Sequence, residues 1–306
     1  MPRVSVLMPV KNTAAYLREA IASVQAQTVQ DFEIVVLDDG SRDESPHVIR
    51  ELAEREPRLR AVYRQGGGLV AARNELLQAA RGEFVAWLDS DDRMTPNRLA
   101  VQLEAFERDP RLVLVGGGAT LTDPTGMPIR THCFAAEHED LVAAMRHEIA
   151  FYFPAVTMRR DVALAVSGFR EPFKIAEDFD LCLRMSETGR VANVQQVVLF
   201  YRQHLASTAN SGRPKTFAYS KLARELAEER RVLGQDRLQR GEPVTVQFGD
   251  LPSPAENARE THKRWAWWAL GSGYLKTARK YALRVLREDP WDLGSWRLAA
   301  CALRGH

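Results

Sequence analysis

A chain of 306 residues that is 45% hydrophobic and 27% charged is long enough for one large α/β domain and a smaller appendage. Its net charge of +2, with no run of Lys or Arg interleaved with aromatics, argues against a nucleic-acid partner. Cys133, Cys182 and Cys301 form an odd set without CxxC spacing, which suggests neither a disulfide framework nor a zinc site and points to a reducing, cytoplasmic compartment.

Met1-Pro2-Arg3 runs directly into Val4 to Val10, which reads as a buried strand rather than a signal peptide. No later segment reaches about 18 uninterrupted apolar residues, so no membrane span is expected. Ala14 to Gln27 reads as an amphipathic helix, with Tyr16, Leu17, Ala20, Ile21 and Val24 at three- and four-residue spacings. The alternation continues with strands at Phe32 to Leu37, Leu59 to Tyr63 and Phe84 to Leu88, and helices at Glu44 to Glu56 and Leu69 to Ala80. Such a pattern predicts right-handed crossovers and a largely parallel sheet. Further on, a helix to Arg108, a strand at Leu112 to Val115, a Gly/Pro-marked loop from Gly116 to Pro128, and strands near Val156 to Met158 and at Val191 to Tyr201 are expected. Leu205 to Pro214 is a polar boundary, and after it the signals are helical: Thr216 to Leu233, Glu256 to Leu270, and a tetratricopeptide-like hairpin of Tyr274 to Glu288 and Trp291 to Leu303.

Ligands of open α/β sheets bind beyond the carboxyl ends of the strands. Three polar clusters fall at such ends: Lys11-Asn12, Asp38-Asp39-Gly40-Ser41, and Asp89-Ser90-Asp91-Asp92. Oxygen ligands grouped as in the last suit Mg²⁺ or Mn²⁺ shared with substrate phosphates. The same residues also make a solvated turn ahead of a helix.

Taken in order, VSVLMPVKN, VLDDGSRD, GLVAARN, GEFVAWLDSDD, GFREPFKIAEDFDLCLR and YRQH resemble the family 2 glycosyltransferases, inverting enzymes of the GT-A fold, over Val4 to about Ser207. The resemblance implies a Rossmann-like, mostly parallel sheet flanked by helices in a catalytic domain of residues 1–212, followed by an all-α extension of residues 213–306. It implies transfer of a hexosyl or N-acetylhexosaminyl group from a UDP- or dTDP-sugar to an acceptor hydroxyl, in surface polysaccharide or other glycan synthesis. Asp39 would accept the imide N–H of uracil or thymine, a hydrogen that cytosine lacks. Pro9 and Val10 would line the base site. Lys11, where many relatives carry an aromatic residue, would cover the base with its stem or reach a phosphate. Arg73 would neutralise the diphosphate or hold the neighbouring acids in place. Asp91 is assigned to a Mg²⁺ or Mn²⁺ ion, Asp89 to the ribose or a group beside the metal, Asp92 to the donor side, and His204 to the metal or the donor phosphates. Asp178 is assigned as the general base toward the acceptor, with Glu177 orienting it. A helix N-terminus would lower the pKa of that base, and burial against Phe173 or Phe179 would raise it. The triple glycine Gly66-Gly67-Gly68 reads as a flexible turn.

After position 212 the chain carries 18 basic and 11 acidic residues, and five of its six tryptophans: Trp265, Trp267, Trp268, Trp291 and Trp296. These fit either a hairpin resting on anionic lipid at the inner face of a membrane or rings that pack the helices inward, and the second is the expectation. Two other functions are open to the whole chain: a catalytically inactive nucleotide-sugar-binding or scaffolding protein, and a sugar nucleotidyltransferase. Against the last stands Pro9-Val10-Lys11-Asn12, where a Gly-rich basic loop would be needed. Acceptors compatible with the resemblance are a glycan, a lipid-linked oligosaccharide, a protein or a small molecule.

Overall fold

In the computed structural model, which describes residues 1–205, 213–249 and 253–306, the apolar runs Val4–Val10 (β1), Phe32–Asp39 (β2), Leu59–Arg64 (β3) and Phe84–Trp87 (β4) are strands. Helices α1 (Ala14–Gln25), α2 (Ser45–Arg55) and α3 (Leu69–Ala79) connect them. α1 buries Leu17, Ala20, Ile21 and Val24, the single apolar stripe that its spacing predicts. Then follow β5 (Arg93–Met94), α4 (Arg98–Arg108), β6 (Leu112–Thr122), β7 (Pro128–His132), α5 (His138–Met145), a 3-10 turn (Phe153–Ala155), β8 (Thr157–Arg159), α6 (Arg160–Ala165), α7 (Glu177–Ser186) and β9 (Arg190–Arg202). The chain continues through α8 (Arg213–Leu233), α9 (Pro254–Gly271), α10 (Leu275–Glu288) and α11 (Leu293–Arg304).

The strands form one sheet in the order β3-β2-β1-β4-β8-β6-β9-β5, with β7 paired to β6. From β3 to β4 the pairs are parallel, so the carboxyl ends of these strands lie along one edge. At β8 the direction reverses, since β8 pairs antiparallel with both β4 and β6, and the mostly parallel expectation holds only for the first part of a mixed sheet. The loop expected from Gly116 is also corrected: β6 runs straight through Gly116, Gly117 and Gly118. A Cβ on these glycines would come within 2.2 Å of Asn193 Oδ1, 2.6 Å of Val198 and 2.3 Å of Cys133 Sγ. The glycines therefore admit close neighbours rather than mark a turn.

The described residues fall into two compact units. The first comprises Met1–Ala119, Cys133–Leu199 and Ala218–Gln247. Within it Leu222, Ala223 and Leu226 of α8 join the core that contains Trp87, Phe153, Phe169 and Phe173. The second comprises Thr120–His132, Phe200–Phe217 and Phe248–His306. There the buried Asp123 accepts hydrogen bonds from Lys280 Nζ at 2.5 Å and the Tyr281 hydroxyl at 3.0 Å, which fastens the β6–β7 turn to α10. Trp265 is buried, edge-on to Tyr281 at 5.0 Å between ring centres. Trp267, Trp291 and Trp296 are exposed, so the tail's rings divide between core and surface.

Candidate active site

Hydrogen bonds join the loops that leave the carboxyl ends of β1, β2 and β4. Asn12 N–H donates to Ser41 Oγ at 2.9 Å, and Arg42 N–H donates to Asn12 Oδ1 at 2.7 Å. Thr13 Oγ1 and Ser90 Oγ lie 2.8 Å apart. Asn12 has φ of +55°, a left-handed conformation that asparagine tolerates better than most residues. Pro9 interrupts nothing in the central strand. Leu7 O accepts from Leu88 N, so the odd-numbered residues of β1 turn their polar groups toward β4, and the β1–β4 pairing ends at Leu7↔Trp87. The N–H that Pro9 lacks falls where β4 has already turned away.

Asp39 ends β2, is 3% exposed, and is surrounded by donors. Its Oδ2 accepts from Gly68 N–H at 3.1 Å and from Lys11 Nζ at 3.3 Å. Its Oδ1 lies 3.0 Å from Arg64 Nε, out of hydrogen-bond alignment, and accepts no hydrogen bond among the described residues. Arg64 has no motif to announce it, but parallel register sets it directly beside Asp39. The triple glycine is not the free turn expected from sequence. Gly66 and Gly68 have φ of +96° and +90°, and a Cβ on Gly40 would come within 2.9 Å of Gly66 N. The loop thus closes onto the Asp39-Gly40 turn through contacts that side chains would block.

Arg73 is 4% exposed on α3 and joins acids from two distant parts of the sequence. Its Nη1 donates to Glu177 Oε1 at 2.6 Å, and its Nη2 lies 3.5 Å from Asp89 Oδ1. Its guanidinium carbon sits 4.7 Å from the Phe153 ring centre, 5.5 Å from Phe169 and 5.9 Å from Trp87, an aromatic setting that attracts a cation. Loss of solvation pushes Glu177 up to about 7, with Arg73 opposing and Asp178 and Asp89 adding to the rise. Asp89 is raised to about 6, again first by loss of solvation, with Arg73 opposing and Asp91 and Asp178 reinforcing. The acids of β4 and α7 therefore sense one another's charge. Ala176, immediately before α7, has φ of +59°. A non-glycine residue there costs roughly 1–2 kcal/mol, a strain located where the chain turns to present Glu177 and Asp178. Asp178 Oδ1 accepts from Phe179 N–H at 2.7 Å.

Ligand oxygens of Asp89, Asp91 and Asp92 lie within 4.8 Å of one another. An all-carboxylate set at this spacing fits a hard divalent cation of the Mg²⁺ or Mn²⁺ type. Asp92 is buried, and its charge faces Arg98. Arg98 is wholly buried and donates to the carbonyls of Pro154, Trp87 and Val156 at 2.6, 2.9 and 3.1 Å. Burial pushes it down to about 9, with Asp92 opposing. This arginine ties the end of β4 to the Phe153–Ala155 turn beneath the acids, and in sequence it looks like any basic residue of an amphipathic helix. His204 follows β9 in the second unit and is not part of the three-carboxylate group.

The family model described as "Glycosyl transferase family 2" matches residues 5–164. The chain is 32% identical over 199 residues to the chondroitin synthase of Pasteurella multocida, covering 64% of this chain and 20% of that protein. It is 33% identical over 218 residues to the O-antigen biosynthesis protein RfbC of Myxococcus xanthus, covering 69% of this chain and 16% of that protein. The chain thus spans a fifth or less of the length of these relatives. Among solved structures, S. aureus TarS 1-349 in complex with UDP-GlcNAc superposes with a TM-score of 0.60 at 16% identity, covering 100% of this chain and 93% of that one. The mannosyltransferase PcManGT of Pyrobaculum calidifontis, in complex with GDP-Man and Mn²⁺, gives 0.56 at 19% identity, covering 99% and 87%. At such identities the two structures speak for the fold alone, and the fold is theirs.

Proposed function

The chain belongs to glycosyltransferase family 2, and we propose on that premise that it moves a hexosyl or N-acetylhexosaminyl group from a UDP- or dTDP-sugar to an acceptor hydroxyl, with inversion. The observation that carries this reading is the gathering of Asp89 and Glu177 on one buried cation, Arg73, at the carboxyl ends of the parallel strands. The catalytic domain is proposed to span residues 1–212.

The donor's base is selected by Asp39. An acceptor carboxylate flanked by Gly68 N–H, Lys11 and Arg64 complements a base edge that reads acceptor, donor, acceptor, as uracil and thymine do. Cytosine offers no hydrogen at N3, and guanine would turn its amino group toward a flanking cation. TarS was solved with UDP-GlcNAc and PcManGT with GDP-Man, so the shared fold does not itself choose the base. Pro9 and Val10 would line the base, with Lys11 over it.

Asp91, with Asp89 beside it, would hold a Mg²⁺ or Mn²⁺ ion, which when bound would supply positive charge against the diphosphate that leaves. Asp178 takes the proton of the acceptor hydroxyl as that oxygen bonds to the anomeric carbon, and the bond from that carbon to the diphosphate breaks on the opposite face. Glu177, gripped by Arg73, fixes the start of α7 and so the direction of Asp178. Asp92 keeps Arg98 neutralised beneath the site. Relatives named for chondroitin synthesis and O-antigen biosynthesis support a growing surface polysaccharide as acceptor, met in the cytoplasm by an enzyme peripheral to the inner face of the membrane.

Asp178→Asn tests this. Sugar transfer from UDP-sugars to oligosaccharide acceptors should fall about 100- to 10,000-fold while UDP affinity is retained. Unchanged transfer would overturn the assignment of the base, and UDP binding without transfer by the unsubstituted chain would favour a binding protein.

A further inference from the structure

We propose that the outer face of α11, with the turn that leads into it, rests on an anionic lipid bilayer. This deepens the reading of a peripheral enzyme and rests on it, but not on the donor site. Trp291 is 92% exposed, Leu293 84%, Trp296 55% and Leu303 59%. α11 turns Ser295, Leu298, Ala299 and Ala302 inward. At about 100° per residue, Leu293, Trp296, Ala300 and Leu303 fall on the opposite face, and Arg297 and Arg304 close the same arc. The Trp296 ring is fixed there by its Nε1–H, which donates to Pro290 O at 2.8 Å.

Charge selects the occupant. The acids of this hairpin are engaged: Asp289 with Arg259 at 2.6 Å, Asp292 with Lys263 at 2.9 Å, and Glu288 with Arg284 at 3.0 Å. Arg287, Arg297 and Arg304 make no ion pair among the described residues. A surface of exposed tryptophan and leucine edged by arginines without counter-acids matches an interface where rings enter the headgroup layer and guanidinium groups meet lipid phosphates. A second copy offering the same face would instead set Arg297 and Arg304 against like charges. No helix among the described residues is long and apolar enough to cross a membrane, so the contact is one of lying on the surface.

Co-sedimentation of the full chain with vesicles of phosphatidylcholine alone, or with about one third phosphatidylglycerol, tests the proposal. Binding should require the anionic lipid, weaken with salt, and shift tryptophan emission to the blue. Neutralising two arginines in R297Q/R304Q should weaken it roughly 30-fold, at about 1 kcal/mol per residue near the surface. W291S/L293S/W296S should abolish it, and a cooperative thermal transition in both variants shows that they stay folded. Absence of binding to anionic vesicles, equal binding by the variants, or lipid-free dimerisation abolished by the triple variant would overturn the proposal. UDP binding, measured in parallel, reports on the donor site separately.

Discussion

Arg73 is the residue on which the candidate site turns, because one buried guanidinium holds Glu177 at 2.6 Å and Asp89 at 3.5 Å. Removing it would leave the buried Glu177 and the partly exposed Asp89 without their shared cation. Arg73→Ala should therefore cost about 3–5 kcal/mol of stability, and Arg73→Lys should recover only part of it, since an ammonium cannot reach both acids with a planar fork. Chemical denaturation reads both, and a loss below about 1 kcal/mol for the alanine variant would contradict the clasp. Glu177 adds a pH dependence. It titrates at about 7 in the folded chain and at about 4.3 when unfolded. Between these values the folded state binds more protons, so its contribution to stability is complete at low pH and is lost as pH rises through about 7. Without donor or metal, denaturation midpoints at about pH 5 and about pH 8 should differ less for Glu177→Gln than for the parent. Equal differences would remove Glu177 as the source.

The strands and loops that carry this site are legible in the sequence because β1 to β4 are unbroken apolar runs with polar clusters at their ends. Those clusters are where Lys11, Asp39, Asp89 and Asp91 stand. Glycine is less legible. Gly116 to Gly118 look like a loop and form the middle of β6, while Gly66 to Gly68 look free and close on Asp39. In both places the missing side chain makes room for a neighbour that only the fold supplies. Arg64 and Arg98 are hidden for a related reason, since register and burial give them their parts and no spacing announces them. Gly40 offers a test of the loop contact. Gly40→Ala would place a Cβ 2.9 Å from Gly66 N at a φ of +74°, and at least about 1–2 kcal/mol of stability should be lost. UDP affinity should fall with it, because Asp39 moves with the turn. A variant with the parent's affinity and stability would show that the two loops are independent.

Within the first unit, α7 is anchored beyond its first residues as well. Asp180 is wholly buried and pairs with Arg170 and Arg184, while Arg170 and Arg230 share the buried Asp236. The network ties the segment after α8 to the helix that begins with Glu177 and Asp178. Asp236→Ala would take a shared acid from two arginines that keep Asp180 and Glu187 as partners, and a loss of about 1–3 kcal/mol is expected by urea denaturation, against near-neutrality if the network were solvated. The proposed nucleotide-sugar site stands on the family match, the parallel strands of the first unit and the acidic cluster at their carboxyl ends. Calorimetric titration with UDP, dTDP, CDP and GDP, each with and without Mn²⁺, on the parent chain and on Asp91→Ala, asks whether that site exists. Metal-dependent binding of UDP or dTDP is expected, with CDP and GDP weaker, and a loss of more than about tenfold in Asp91→Ala. Binding indifferent to base and metal, or no nucleotide binding, would contradict it.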